Sequence, residues 1–247
     1  SPGQAYPGQS ITFRSSIANI GRAPAVSTSS SNIMTAFYLS SNRILDDSDR
    51  MLGSFGNNRT YEPGDSNQNP ERRYTIPNWL EPGRWFLIVK ADSRDRVDEA
   101  DEANNTRTLS LAVTPRPKPD FVVESLTIDP GSFYPGQRLT YRSVVTNIGP
   151  AAAACPNGLK TVYYLSSDMT IDDSDTKLAN YTNTQRSYAP NAKIRQMNLG
   201  FSIQEIMRPG TYYLIAKTDK DDDVDETYET NNIRIRPFNV IQRPALK

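Results

Sequence analysis

Tyr134-Pro135-Gly136-Gln137-Arg138-Leu139-Thr140-Tyr141-Arg142-Ser143-Val144-Val145-Thr146-Asn147-Ile148-Gly149 decides the fold. Its Pro-Gly pair suits a type II turn, which needs the positive φ that glycine adopts without strain. After the turn, Leu139, Tyr141, Ser143 and Val145 point one way, and Thr140, Arg142 and Val144 point the other. That period of two marks a half-buried antiparallel strand. The run also stands 128 residues earlier, from Tyr6-Pro7-Gly8-Gln9 to Asn19-Ile20-Gly21.

Working outward, Tyr38-Leu39-Ser40-Ser41 returns as Tyr164-Leu165-Ser166-Ser167, and Asp46-Asp47-Ser48-Asp49 as Asp172-Asp173-Ser174-Asp175. Pro82-Gly83 returns as Pro209-Gly210, Val97-Asp98-Glu99 as Val224-Asp225-Glu226, and Asn104-Asn105 as Asn231-Asn232. Seven landmarks in one order, with offsets of 126 to 128, make the chain one unit written twice. Between the copies lies Thr114-Pro115-Arg116-Pro117-Lys118-Pro119, whose alternate prolines favour an extended spacer. The expected domains are residues 1–114 and 119–247, joined by a proline-rich linker at 115–118.

Further strands are expected at Thr161–Leu165, Ile194–Phe201, Thr211–Lys217 and Ile233–Val240. In the first copy they are expected at Ile11–Ile17, Thr35–Leu39, Arg72–Ile76, Arg84–Lys90 and Thr106–Val113. Pro-Gly pairs at 7–8, 63–64, 82–83, 135–136 and 209–210 read as type II turns. No stretch carries a 3.6-residue apolar stripe. The fold class is therefore all-β: two tandem Greek-key, immunoglobulin-like β-sandwich domains. The first copy starts at the equivalent of Asp129 and has no match to Phe121-Val122-Val123-Glu124-Ser125-Leu126-Thr127-Ile128. Its opening strand is expected to be missing, by a boundary of the chain or, alternatively, by donation from a preceding domain. The abrupt start at Ser1-Pro2-Gly3 fits a piece of something longer.

Composition excludes several functions. Lys plus Arg and Asp plus Glu are 28 each, and a chain with no net charge is not expected to bind nucleic acid. With no histidine, there is no Ser-His-Asp or Cys-His system and no His-ligated zinc. The single cysteine, Cys155, permits no internal disulfide and reads as a small packed residue. The longest apolar run, Trp85-Phe86-Leu87-Ile88-Val89, falls far short of the roughly 20 residues that cross a bilayer, so no membrane insertion and no leader segment are expected. Carboxylate pairs that could hydrolyse glycosides recur evenly in hydrophilic turns of both copies, so the chain is not expected to be an enzyme.

The landmarks resemble a known family. Pro119-Asp120-Phe121-Val122-Val123, Pro135-Gly136-Gln137, Asn147-Ile148-Gly149, Tyr164 to Asp168, Asp172 to Asp175, Pro209 to Leu214, and Asp225-Glu226 with Glu229 before Asn231-Asn232 look like the cell-adhesion-related domain found in bacteria, CARDB. The resemblance spans nearly all of copy two, and copy one except its first strand. It implies a non-catalytic adhesion or spacer module of a larger exported or cell-surface prokaryotic protein. The implied partners are a surface protein or glycan ligand and neighbouring domains of the same chain. The alternative is a carbohydrate-binding accessory module of a secreted hydrolase.

Acidic loops are the remaining candidates. Asp92, Asp95, Asp98, Glu99 and Glu102 match Asp219, Asp222, Asp225, Glu226 and Glu229. Carboxylates this dense repel one another, and a hard cation would relieve the repulsion. No cofactor is required, but calcium is the ion they would hold, with Asp92, Asp95, Asp98, Glu99, Asp219, Asp222, Asp225 and Glu226 as ligands; solvated turn residues are the alternative. Asp219-x-Asp221-x-Asp223 is not an EF-hand, because Val224 stands where the loop glycine belongs and Thr230 where the bidentate glutamate belongs.

Overall fold

The computed structural model describes residues 3–27 and 32–243; Ser1 and Pro2 of the abrupt start, residues 28–31 and the last four residues of the second expected domain lie outside them. The chain divides into two compact units, Ser1–Arg116 and Pro117–Lys247.

The first unit holds β1 (Gln4–Ala5), β2 (Ser10–Phe13), β3 (Ser16–Ala18), β4 (Ile33–Ser40), β5 (Arg50–Asn57), β6 (Ser66–Gln68), β7 (Arg72–Thr75), β8 (Gly83–Lys90) and β9 (Thr106–Val113). One sheet runs β1-β9-β8-β4-β5; facing strands pair as β2-β7 and β3-β6. The second unit holds β10 (Phe121–Ile128), β11 (Ser132–Phe133), β12 (Arg138–Asn147), β13 (Ala153–Ala154), β14 (Leu159–Ser166), β15 (Thr176–Asn183), β16 (Ser187–Tyr188), β17 (Lys193–Ser202), β18 (Gly210–Thr218) and β19 (Ile233–Val240). Its sheets run β11-β19-β18-β14-β15 and β10-β12-β17, with the short pair β13-β16. The chain crosses between sheets from β12 to β14 and back from β15 to β17, which is the Greek-key sandwich of the immunoglobulin type.

The alternation read from the sequence is the one that packs. Along β12, Leu139, Tyr141, Ser143 and Val145 are buried while Arg138, Thr140 and Arg142 are exposed. Leu139, Tyr141 and Val145 join Phe121, Val123, Leu126, Ile128, Tyr163, Leu214 and Phe238 in one core. The first unit has a smaller cluster around Ile11, Phe37, Ile76, Leu87 and Leu111. Cys155 is buried in the second core, and burial pushes its thiol up to about 11, so it is packing rather than a nucleophile.

Two expectations need correction. The strand expected at Ile11–Ile17 is two, β2 and β3, with Arg14 and Ser15 outside the ladder. β12 is held on both sides, by β10 and β17, whereas β2 and β3 are held on one side only. Gly8, Gly64 and Gly136 do take φ of 84°, 86° and 84°, but Gly83 and Gly210 have no positive φ and open β8 and β18 instead. The aromatic residue two positions on explains this. Trp85 Nε1 donates to the Glu81 carbonyl at 3.0 Å, and Tyr212 Oη donates to the Arg208 carbonyl at 3.1 Å. Each aromatic tethers its strand start four residues back, like the tyrosine corner of immunoglobulin sandwiches. Tyr212→Phe is expected to cost the second unit about 1 kcal/mol in urea unfolding, the worth of one such bond. Finally, β5 and β15 carry no expectation from the sequence. They are edge strands with no fully buried residue, so no apolar period announces them.

Candidate functional site

The acidic stretches lie in matched loops, 91–105 between β8 and β9 and 219–232 between β18 and β19. Their geometry starts from two aspartates in the left-handed region: Asp92 and Asp95 at φ 36° and 49°, Asp219 and Asp222 at 42° and 52°. Aspartate tolerates this backbone better than most residues. The chain curls back so that the first aspartate lies under its own loop. Asp92 is 1% exposed, and its Oδ2 accepts from the amides of Arg96 at 2.8 Å and Val97 at 2.7 Å. Asp219 is 3% exposed, and its Oδ2 accepts from the Val224 amide at 3.1 Å. These two carboxylates are loop staples.

The last acids of each loop cap the turn into the next strand. Glu229 Oε1 accepts from the Glu226 amide at 2.7 Å, and Glu102 Oε1 from the Glu99 amide at 3.0 Å. Asn232 Nδ2 donates to Glu226 Oε1 and Asn105 Nδ2 to Glu99 Oε1, both at 3.1 Å. The units then diverge. Glu226 is fully buried and its Oε2 accepts from the Phe121 amide of β10 at 2.6 Å; Glu99 is half-buried and has no such partner among the described residues.

That closure creates one acidic cluster. Carboxylate oxygens of Asp219, Glu226 and Glu229 lie within 4.8 Å of one another, and no other group of three metal-ligating side chains gathers among the described residues. Burial pushes the Glu226 carboxyl up to about 8, and the charge of Asp219 adds to it; burial also raises Asp219. The amide oxygens of Asn231 and Asn232 are buried without a partner in the same loop, as is Asp92 Oδ1 in the first. Of the eight residues singled out from the sequence, Asp219 and Glu226 come together. Asp222 is exposed and faces Lys217 at 3.9 Å, Asp225 faces Lys118 at 2.5 Å, and Asp95 faces Lys90 at 3.3 Å. Asp98 points to solvent, and Asp92 and Glu99 do not converge on a third acid. Glu229 was not among the eight, although its place three residues after Glu226 on a turn was the signal that the two share a site.

The second acidic pattern makes turns. Asp46 Oδ1 accepts from the Ser48 amide and Asp49 Oδ2 from the Asp46 amide; Asp172 and Asp175 repeat both bonds. These aspartates are spent on joining β4 to β5 and β14 to β15.

Glu226 gives a pH prediction. Its folded pKa of about 8 lies above the usual 4.5, so the folded state holds the proton more tightly. Without divalent cations, this contribution to stability is fully present below pH 4.5 and is lost as the pH rises through about 8. Glu226→Gln is expected to flatten that profile in urea unfolding measured across the range.

No curated protein matches the chain. Among solved structures, the chain is similar to the CARDB domain of a Pyrococcus furiosus protein in complex with di-metal ions, with 21% identity, 53% of this chain and 100% of that one covered, and a TM-score of 0.41. It is also similar to a domain of a candidate cell-surface protein from Methanosarcina acetivorans, with 17% identity, 50% and 93% covered, and a TM-score of 0.37. The family model for CARDB matches residues 1–109 and again 118–236, once per unit. This chain belongs to the CARDB family, as two copies of its domain in tandem.

Proposed function

We propose that the chain is a non-catalytic spacer or adhesion module of a larger cell-surface protein, and that the second unit is fastened by calcium at Asp219, Glu226 and Glu229. The observation that carries the reading is how the acids are spent. Asp46, Asp92, Asp172 and Asp219 hold backbone amides, and the single thiol is sealed in a core. The hydroxyls that meet a carboxylate, such as Ser48 on Asp46 and Thr170 on Asp168, lie in exposed turns, which favours shape over chemistry as what the chain offers.

The calcium part rests on spacing. Oxygens around one calcium ion lie at most about 5 Å apart, twice the 2.3–2.6 Å bond length. The three carboxylates meet that limit, and calcium prefers oxygen ligands of this kind, including amide carbonyls such as those of Asn231 and Asn232. The ion would offset the burial cost of an ionised Glu226 and the repulsion from Asp219, which together keep the proton on Glu226. The expectation that the first unit binds in the same way rests on Asp92, Asp95, Asp98 and Glu99, which do not gather, so one ion per chain is the proposed stoichiometry.

Calorimetric titration of the chelator-treated chain tests this. About one calcium per chain is expected, and none after Asp219→Asn with Glu229→Gln. Two ions, or binding unchanged in the double variant, would overturn the assignment. For the location, antibody to this segment should label intact cells of the source as strongly as permeabilised ones; label only after permeabilisation would reject the surface reading.

A further inference from the structure

We infer that the first unit binds an acidic polysaccharide, one built on uronic acids, in an aromatic and arginine-rich cleft between β5 and β7. β5 ends the sheet β1-β9-β8-β4-β5 and β7 ends the pair β2-β7, so the sandwich is open between them. The opening is a cleft of about 190 Å³ with Phe37, Gly53, Arg72, Arg73 and Tyr74 among its walls. The second unit has the same two edges, β15 and β17, but other chemistry on them. Thr176, Leu199, Gly200 and Ile206 stand there in place of Arg50, Arg72, Arg73 and Trp79.

The arginines are placed but not paired. The Arg72 guanidinium lies over the Phe55 ring at 4.7 Å, and Phe55 stacks in turn on Phe37 at 5.9 Å. The Arg50 guanidinium lies over the Trp79 ring at 5.4 Å. Burial raises the Tyr74 phenol and the Arg50 charge opposes the rise, which sets Arg50 beside the cleft wall. Arg73 is exposed between Arg72 and Tyr74. None of the three arginines makes an ion pair among the described residues. A guanidinium laid flat on a ring keeps its N–H edge free for the two oxygens of a carboxylate. In a chain with no net charge, this local excess of positive charge calls for an anion.

Shape and surroundings select a sugar acid. The cleft is smaller than the roughly 300–1,000 Å³ of a pocket that takes a whole small ligand, so it suits one ring of a longer polymer. A Cβ on Gly53 would meet nothing within 4 Å, so the floor is open, whereas the matching Ala179 carries that methyl. Trp79 is 60% exposed, which leaves ring surface for the C–H face of a pyranose whose carboxylate reaches Arg50. An added peptide strand is disfavoured, because the bulge at Leu52 breaks the β5 edge and β7 is only four residues long.

The site goes beyond the spacer reading and lies outside the acidic cluster, so its test is run in chelator, where calcium plays no part. Tetramers of galacturonate and of mannuronate are titrated into the whole chain and followed by tryptophan fluorescence, since both tryptophans lie in the first unit. At least one tetramer is expected to bind, and about tenfold or more tighter than its methyl ester, which keeps the rings and removes the charge. Arg50→Gln with Arg72→Gln should weaken binding by about tenfold or more, with an unchanged urea midpoint showing that the fold is kept. Arg73→Glu, at an exposed position, should weaken it too and keeps the test decisive if the double variant unfolds. Asp219→Asn with Glu229→Gln should bind as the unaltered chain does, which separates this site from the calcium reading. No binding of either tetramer at millimolar concentration would overturn the inference, as would equal binding of the methyl ester or binding unchanged in the arginine variants. A tetraglutamate peptide bound as tightly as the sugar would overturn it as well, by making the occupant an acidic peptide.

Discussion

Phe121→Ala is expected to destabilise the second unit by about 3–5 kcal/mol, the range for deleting a fully buried aromatic side chain. Phe121 is 0% exposed and sits at the first position of β10, with its ring edge-on to Tyr188. Its amide is also the partner of the buried Glu226 carboxylate. The substitution leaves that bond available but empties the volume that holds the strand down, so the cavity lies next to a buried acid. For a domain whose whole stability is about 5–15 kcal/mol, this is a large fraction. The chain supplies its own control, because both tryptophans, Trp79 and Trp85, are in the first unit and the second has none. Tryptophan fluorescence therefore follows the first unit and far-ultraviolet circular dichroism follows both. The urea midpoint by dichroism should split and its lower component fall, while the fluorescence midpoint stays.

Asn147→Ala is expected to cost the second unit about 3 kcal/mol or more, because it orphans several buried groups at once. Asn147 is 0% exposed. Its Nδ2 donates to the carbonyls of Ala151 at 2.9 Å and Tyr188 at 3.1 Å, and its Oδ1 accepts from the amides of Asp120 at 3.0 Å and Gly149 at 3.1 Å. One side chain thus ties the end of β12, the loop after it, the β13–β16 pair and the approach to β10. The matched Asn19 makes the same bonds to Ala23, Tyr61 and Gly21, but it is half-exposed and ties no further strand among the described residues. Asn19→Ala should cost the first unit about 1 kcal/mol, since water can reach the groups it abandons. Equal costs in the two units would mean that the extra strand is not what the asparagine serves.

The repeat, the strands with a buried period of two and the all-β class were legible because each leaves a local mark: Leu139 to Val145 alternate, and Tyr134 to Gln137 mark the turn. The Pro-Gly pairs misled at 82–83 and 209–210 because the turn residue was read without Trp85 and Tyr212, whose tethers lie two positions beyond. β5 and β15 escaped notice because an edge strand can be polar on both faces. In the acidic loops the residue types were legible but their division of labour was not. Asp92 and Asp219 turn inward through backbone that no composition reveals. Glu226 is drawn in by an amide 105 positions away in sequence, at the start of β10. That single long-range bond makes a cluster of Asp219, Glu226 and Glu229 while Asp92, Glu99 and Glu102 stay apart.

The most direct measurement is a thermal melt of the chain in millimolar calcium and in chelator, read by dichroism and by tryptophan fluorescence in the same sample. A ligand at 100 times its dissociation constant adds about 2.7 kcal/mol, enough to move the midpoint of a domain of this size by several degrees. The predicted result is a calcium-dependent rise in the dichroism transition that belongs to the second unit, lost in Asp219→Asn with Glu229→Gln, and a fluorescence midpoint that does not move. A melt indifferent to calcium in both signals would contradict the account, and so would a shift that first appears in the tryptophan signal.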